Sequence, residues 1–147
     1  MAPPLRVYRA AWVVPVDAPP IRDGWVAVEG GLIAGVGGPD DDPLRHGHPS
    51  SGASVLGDVV LMPALVNAHT HLELSWLRGR TRPASSFLGW VSGMMRERLQ
   101  SPDGRDEAFV RSAMALALEE MKASGTGLVG DISNALSHLD LLDASGL

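Results

Sequence analysis

The sequence contains no cysteine among its 147 residues. That excludes disulfide bonds and thiolate metal sites, and it leaves histidine, aspartate and glutamate as the side chains able to hold an ion. Basic charge is also scarce: 12 lysines and arginines stand against 17 acidic residues, a formal net charge of −5. The electrostatic footprint of a nucleic-acid binder is therefore missing. No apolar stretch approaches the roughly 20 residues that cross a bilayer. Residues 1–6 lack the charged-then-apolar layout of a secretory signal. These absences predict a soluble, cytoplasmic protein with no nucleic-acid or membrane partner. The hydrophobic content of 45% is enough for a real core.

Patterning divides the chain. Residues 5–14, 25–29 and 32–36 are short β-type runs, broken by Pro19-Pro20, Asp23-Gly24 and Gly30-Gly31. The last pair is a two-residue hairpin signal, and together the runs predict a small antiparallel unit. Residues 37–54 are rich in glycine, proline and aspartate and poor in apolar anchors, so they read as a mobile loop. Strand character resumes over 55–62, and residues 60–68 read as the first strand of a second domain. From Ser85 the apolar period changes from two to about 3.6. Leu88, Val91 and Met95, with Phe87, Trp90 and Met94, predict a helix to about Leu99 capped by Ser85 or Ser86, with Trp90 and the two methionines in the core. Val110, Met114, Leu118 and Met121 predict a second helix ending before Gly125. Thr126 to Ile132 reads as a strand, and residues 139–147 as a helix with Gly146 at its C-cap and Leu147 opening a further strand. This order predicts parallel βαβ units, with the text stopping inside the architecture.

The most informative segment is 59–75, where an apolar β-type run delivers His69 and His71 at i and i+2. Side chains alternate faces along a strand, so the two imidazoles point the same way while Thr70 points opposite. Neutral imidazoles from one strand end can share one divalent ion, with zinc, iron, nickel or manganese all compatible. Glu73 continues the i, i+2, i+4 series and is a candidate to touch substrate. His46 and His48 repeat the spacing, but in a segment without a scaffold to fix either ring.

The combination of Pro63, Asn67, His69, His71, Leu72, Glu73 and Ser75, with the segment 130–133, resembles the N-terminal part of amidohydrolase-superfamily enzymes. These are the metal-dependent group that includes cytosine, guanine and adenosylhomocysteine deaminases and triazine chlorohydrolases, and the pattern is most similar to the aminodeoxyfutalosine deaminase branch. The resemblance implies an α/β fold: a partial β-sandwich over 1–59, then over 60–147 the first two β/α units of an incomplete (β/α)8 barrel. It implies that His69 and His71 ligate one divalent ion, zinc being the first choice. The remaining ligands and the general base would come from strands that this sequence does not include. It further implies hydrolysis of non-peptide C–N bonds, as in deamination of a purine-like ring, with a small-molecule substrate.

Lys122 lies on the second helix, so nothing here plays the bridging lysine of two-metal relatives. Where relatives usually carry Pro-Gly, this chain has Pro63-Ala64, tolerable if φ at Ala64 stays negative. Glu97, Arg78, Arg80, Arg82 and Asp131 are weaker candidates. Glu97 and the three arginines are more simply solvated, and Asp131 sits at a strand end where it can support ligands. Two ligands alone predict a chain inactive by itself. The alternatives are a non-catalytic truncated remnant, a half of a split enzyme completed by a C-terminal chain, a homo-oligomer, or a small metal-binding module.

Overall fold

A computed structural model describes residues 3–41 and 50–147. His46 and His48 lie outside the described residues. The chain forms two compact units, Met1–Pro63 and Ala64–Leu147.

Among its described residues the first unit is all β. Strands β1 (Leu5–Arg9), β4 (Trp25–Glu29), β5 (Leu32–Gly37) and β6 (Ser50–Val55) make a mixed sheet in the order β5-β4-β1-β6. Strands β2 (Trp12–Val13), β3 (Ile21–Arg22) and β7 (Val60–Leu61) make a smaller one in the order β3-β2-β7. Alternation puts Leu5, Val7, Trp25 and Ala27 on one buried face. The Trp25 indole is held by donating from Nε1 to the Gly38 carbonyl at 2.9 Å and the Asp41 carbonyl at 3.2 Å. Gly37 makes room for that ring, since a Cβ there would lie 2.5 Å from it. The Gly30-Gly31 hairpin forms as expected: Glu29 pairs with Leu32, and both glycines adopt positive φ, 59° and 83°.

Three expectations in this region are corrected. The run 5–14 is two strands, not one. Residues 50–54, expected inside a mobile loop, lie in β6, which pairs in parallel with β1 through Val7 to Ala53, Tyr8 to Ser54 and Arg9 to Val55. Backbone pairing needs no apolar alternation, so a serine- and glycine-rich segment can complete a sheet edge. Residues 60–68 are not one strand either. Val60 and Leu61 pair with Trp12 and Val13 in the first unit, and the strand that carries the histidines begins at Leu65.

The second unit is α/β. Strand β8 (Leu65–Thr70) runs into a 3-10 helix (Leu72–Leu77), followed by α1 (Phe87–Gln100), α2 (Glu107–Ala123), β9 (Thr126–Asp131) and α3 (Leu139–Ser145). β8 and β9 are parallel neighbours, as expected for a βαβ unit, and no closed barrel forms among the described residues. α2 starts because the Asp106 carboxylate accepts from the N–H groups of Ala108 at 3.0 Å and Phe109 at 3.1 Å, satisfying donors that a helix start leaves without partners. Its Val110, Met114, Ala117 and Leu118 recur at i, i+4, i+7 and i+8 and pack with Leu72, Trp76 and Leu77 of the 3-10 helix. Burying a side chain such as Met114, 1% exposed, contributes roughly 1.5–3 kcal/mol.

α1 departs from expectation. Ser86 caps it, accepting from Gly89 N–H at 3.1 Å, yet none of its residues is buried. Trp90 is 39% exposed and stacks on Phe87 at 6.0 Å, whereas Met94 packs against the core cluster only partly. An apolar stripe at helical spacing shows that one face is suited to burial; it does not supply the surface that covers it.

Close strand approach explains Ala64. Among the described residues the non-glycine positions with positive φ are Val16 and Asp23, so Ala64 is unstrained. Across the pair, a Cβ built on Gly127 would lie 2.5 Å from the Ala64 Cβ. The methyl at 64 thus fits because position 127 has none. Gly127→Ala is expected to destabilise the unit by about 1–3 kcal/mol through overpacking, and Ala64→Gly in the same chain to recover most of it, as read in urea denaturation of the double-mutant cycle. Additive effects would show that the two positions do not compete for space.

Candidate metal centre

β8 ends at Thr70, and His71 is the N-cap of the 3-10 helix with φ −131° and ψ 74°. Although its ψ falls short of the extended range, His71 still directs its ring to the side of His69. His69 and His71 therefore share a face, with Nε2 atoms 3.3 Å apart and rings meeting edge to face at 5.1 Å. Two nitrogens bound tetrahedrally at about 2.0–2.1 Å from one ion lie roughly 3.3–3.4 Å apart. The spacing fits a shared divalent ion.

The proton position fits as well. His71 Nδ1 lies 2.8 Å from the Ile132 carbonyl. A carbonyl can only accept, so Nδ1 carries the hydrogen and, in the neutral ring, Nε2 presents its lone pair toward His69. A backbone acceptor behind a metal-ligating imidazole is the usual device for fixing its tautomer. Among the described residues, no cluster of three or more His, Cys, Asp or Glu side chains suited to a metal ion forms, so the donor set here is the pair.

Ile132 is brought to His71 by β9. Thr70 pairs with Asp131, and Ile132 N–H donates to the Thr70 carbonyl at 2.8 Å. Gly130 permits this approach, because a Cβ there would lie 2.7 Å from the Ala68 carbonyl oxygen. Asp131 binds the residues on either side of His71 and the start of the loop after β9. Its Oδ1 accepts from the Thr70 hydroxyl at 2.9 Å and Leu72 N–H at 2.8 Å, and its Oδ2 from the Ser133 hydroxyl. Partial burial pushes its carboxyl up, but the bonds from Leu72, Ser133 and Thr70, with His71 nearby, outweigh burial and hold it below the usual carboxylate range.

Glu73 does not continue the strand series. The 3-10 helix begins at Leu72, which turns Glu73 inward to 8% exposure. There it meets Arg98 at 3.1 Å. The arginines beyond the centre have protein partners too: Arg78 makes a two-point pair with Glu120 at 2.7 and 2.5 Å. Arg80 bonds Asp103 at 2.6 Å and lies over the Trp76 and Phe109 rings. Arg82 is exposed and Glu97 half-buried on α1. Sequence reasoning missed Ile132, Ser133 and Asn134. A carbonyl leaves no trace in residue identity, although the two-residue step past a polar strand end is where such an acceptor belongs.

The direction at Asp131 has a consequence for stability. A carboxyl whose folded value lies below its unfolded one stabilises the fold fully above about pH 4, and the contribution disappears as pH falls through the folded value. Asp131→Asn is therefore expected to flatten the acid limb of stability measured by urea midpoints between about pH 5 and pH 2. An acid limb as steep as that of the wild type would assign the loss to other carboxylates.

Comparison with known proteins places the chain in a family. The amidohydrolase family profile matches residues 60–146, more than half of the chain. Helicobacter pylori adenosine deaminase is 33% identical over 108 residues, 74% of this chain and 25% of that protein. The crystal structure of Helicobacter pylori aminofutalosine deaminase in complex with methylthio-coformycin has a TM-score of 0.70 and 28% identity, over 97% of this chain and 33% of that one. An adenosine deaminase from Xanthomonas campestris, solved with bound zinc, has a TM-score of 0.61 and 27% identity, over 95% of this chain and 30% of that one. The chain thus spans about a quarter of the length of the first of these relatives. Among the described residues no helix is long and apolar enough to cross a membrane. By that match and these relatives, this chain belongs to the amidohydrolase family.

Proposed function

We propose that this chain provides the two-histidine part of the metal centre of an aminohydrolase that removes an amino group from a purine-like ring. The observation that carries the reading is the convergence of the two Nε2 atoms at 3.3 Å, with the His71 tautomer set by the Ile132 carbonyl. The deaminase relatives support the reaction class, and the Xanthomonas campestris structure supports zinc as the ion. His69 and His71 hold the ion, and Asp131 ties Thr70 and Leu72 to the end of β9 so that both imidazoles keep their direction. When bound, a divalent ion supplies a water acidic enough to act as a nucleophile near neutral pH.

Two imidazoles leave a catalytic shell short of the usual three or more protein ligands. The open faces of the β8–β9 pair point the same way: Leu65, Val66 and Leu128 are 53%, 62% and 55% exposed, although two parallel strands normally sit inside a covered sheet. In this reading, further strands beside β8 and β9 contribute the missing ligands and the proton-transfer group. They belong either to the same polypeptide or to a complementing chain, and the 147 residues alone do not turn over substrate. Co-expression with such strands is expected to restore amino-purine hydrolysis.

The metal assignment is testable in this chain. Zinc is expected to bind with one-to-one stoichiometry in competition titrations with a chromophoric chelator, and the His69→Ala, His71→Ala double variant to lose at least about tenfold in affinity. Unchanged binding in the double variant would place the ion elsewhere and remove the basis of the proposal.

A further inference from the structure

A second carboxylate beside the centre has no part in the chemistry above. Glu73 is 8% exposed, and burial of a charged carboxylate is tolerable only with dense hydrogen bonding. It has that. Oε1 accepts from Arg98 Nη2 at 3.1 Å and from Asn134 Nδ2, and Oε2 accepts from the N–H groups of Asn134 at 3.2 Å and Ala135 at 3.3 Å. An ionised carboxylate offers about four acceptor sites. All are used, so Glu73 has no acceptor left for a substrate.

Three of the four donors lie on Asn134 and Ala135, two and three residues beyond Ile132. The direction of the Ile132 carbonyl is set by its ψ, and hence by where the chain goes from Ser133 onward. That stretch belongs to neither β9 nor α3, so no ladder or helical bonds fix it. Asp131 holds it at Ser133, and Glu73 holds it at the next two residues.

We infer that Glu73 is a positioning residue for His71: by gripping Asn134 and Ala135 it holds the Ile132 carbonyl against Nδ1, which keeps His71 in the tautomer whose Nε2 is free to ligate. The inference rests on the reading of His69 and His71 as ligands. It replaces substrate contact as the role of Glu73.

The test uses the full chain with ¹⁵N-labelled histidine, metal-free, at about pH 8, where an ordinary imidazole is neutral. Long-range ¹H–¹⁵N correlation spectra read which nitrogen carries the hydrogen. Wild-type His71 is expected as the Nδ1–H tautomer. In Glu73→Gln one amide oxygen replaces two acceptor oxygens, and His71 is expected to become a tautomer mixture, with zinc affinity weaker by about tenfold or more. Arg98→Met removes the ion pair but leaves the grip on the loop, and is expected to lower the melting temperature with the tautomer unchanged. That separates positioning from mere stabilisation. If Glu73→Gln does not fold, Asn134→Ala removes one donor from the opposite side and is expected to shift the tautomer less, in the same direction. A folded Glu73→Gln chain that keeps the Nδ1–H tautomer and binds zinc within roughly twofold of wild type overturns the inference, as does an unshifted tautomer in Asn134→Ala. A wild-type chain that binds no zinc sinks the metal reading instead, while the tautomer comparison still decides the role of Glu73.

Discussion

Parallel pairing of Leu65–Thr70 with Thr126–Asp131 is the constraint on which the second unit depends. It brings the ends of two strands together across the intervening helices, and it needs bare backbone at two places. Gly127 yields to the Ala64 methyl and Gly130 to the Ala68 carbonyl. From that pairing follow the seat of Asp131 beneath Thr70 and Leu72, the placement of Ile132 behind His71, and the footing on which the 3-10 helix meets α2. The apolar cluster of Leu72, Trp76, Leu77 and Met114 supplies the burial energy. The strand pair decides where that energy holds the polar groups.

The parts readable in the sequence are those written in side chains with a period. His69 and His71 share a face because two-residue alternation survives to the N-cap of the following turn. α2 is legible because Val110, Met114 and Leu118 repeat at helical spacing and are buried at it. Gly30-Gly31 and Gly146 announce their turns because positive φ is nearly their preserve. The failures have physical causes as well. The alternation stops short of Glu73, and nothing in the 72–77 segment signals that the backbone tightens into a 3-10 helix at Leu72. β6 was hidden because its pairing is carried by main-chain groups. The α1 stripe has the period of a core face but no buried residue, because amphipathicity alone does not specify burial.

Within the candidate centre the legible part is the shared face of His69 and His71, and the illegible part is what their surroundings contribute. Ile132 acts through a carbonyl that every residue has. Asn134 and Ala135 act mainly through N–H groups that almost every residue has. Such contributions become visible only when the chain path is known, which is why a motif picks out the histidine pair and geometry is needed to say what orients it. The two carboxylates illustrate the difference. Asp131 stands at a legible strand end, whereas the loop partners of Glu73, Asn134 and Ala135, lie 61 and 62 positions away and carry no pattern.

The same separation in sequence orders events in time. His69 and His71 are neighbours in any extended chain, so their rings can meet an ion as soon as the local strand conformation is sampled. The Ile132 carbonyl reaches His71 only after a loop of 61 residues closes, and non-local contacts of that kind form late because chain entropy must be surrendered first. In the proposed function an ion caught early would therefore meet imidazoles free to exchange tautomers, and its hold would tighten when β9 docks. If the pair holds an ion as proposed, completion of the fold would be a step in retaining it.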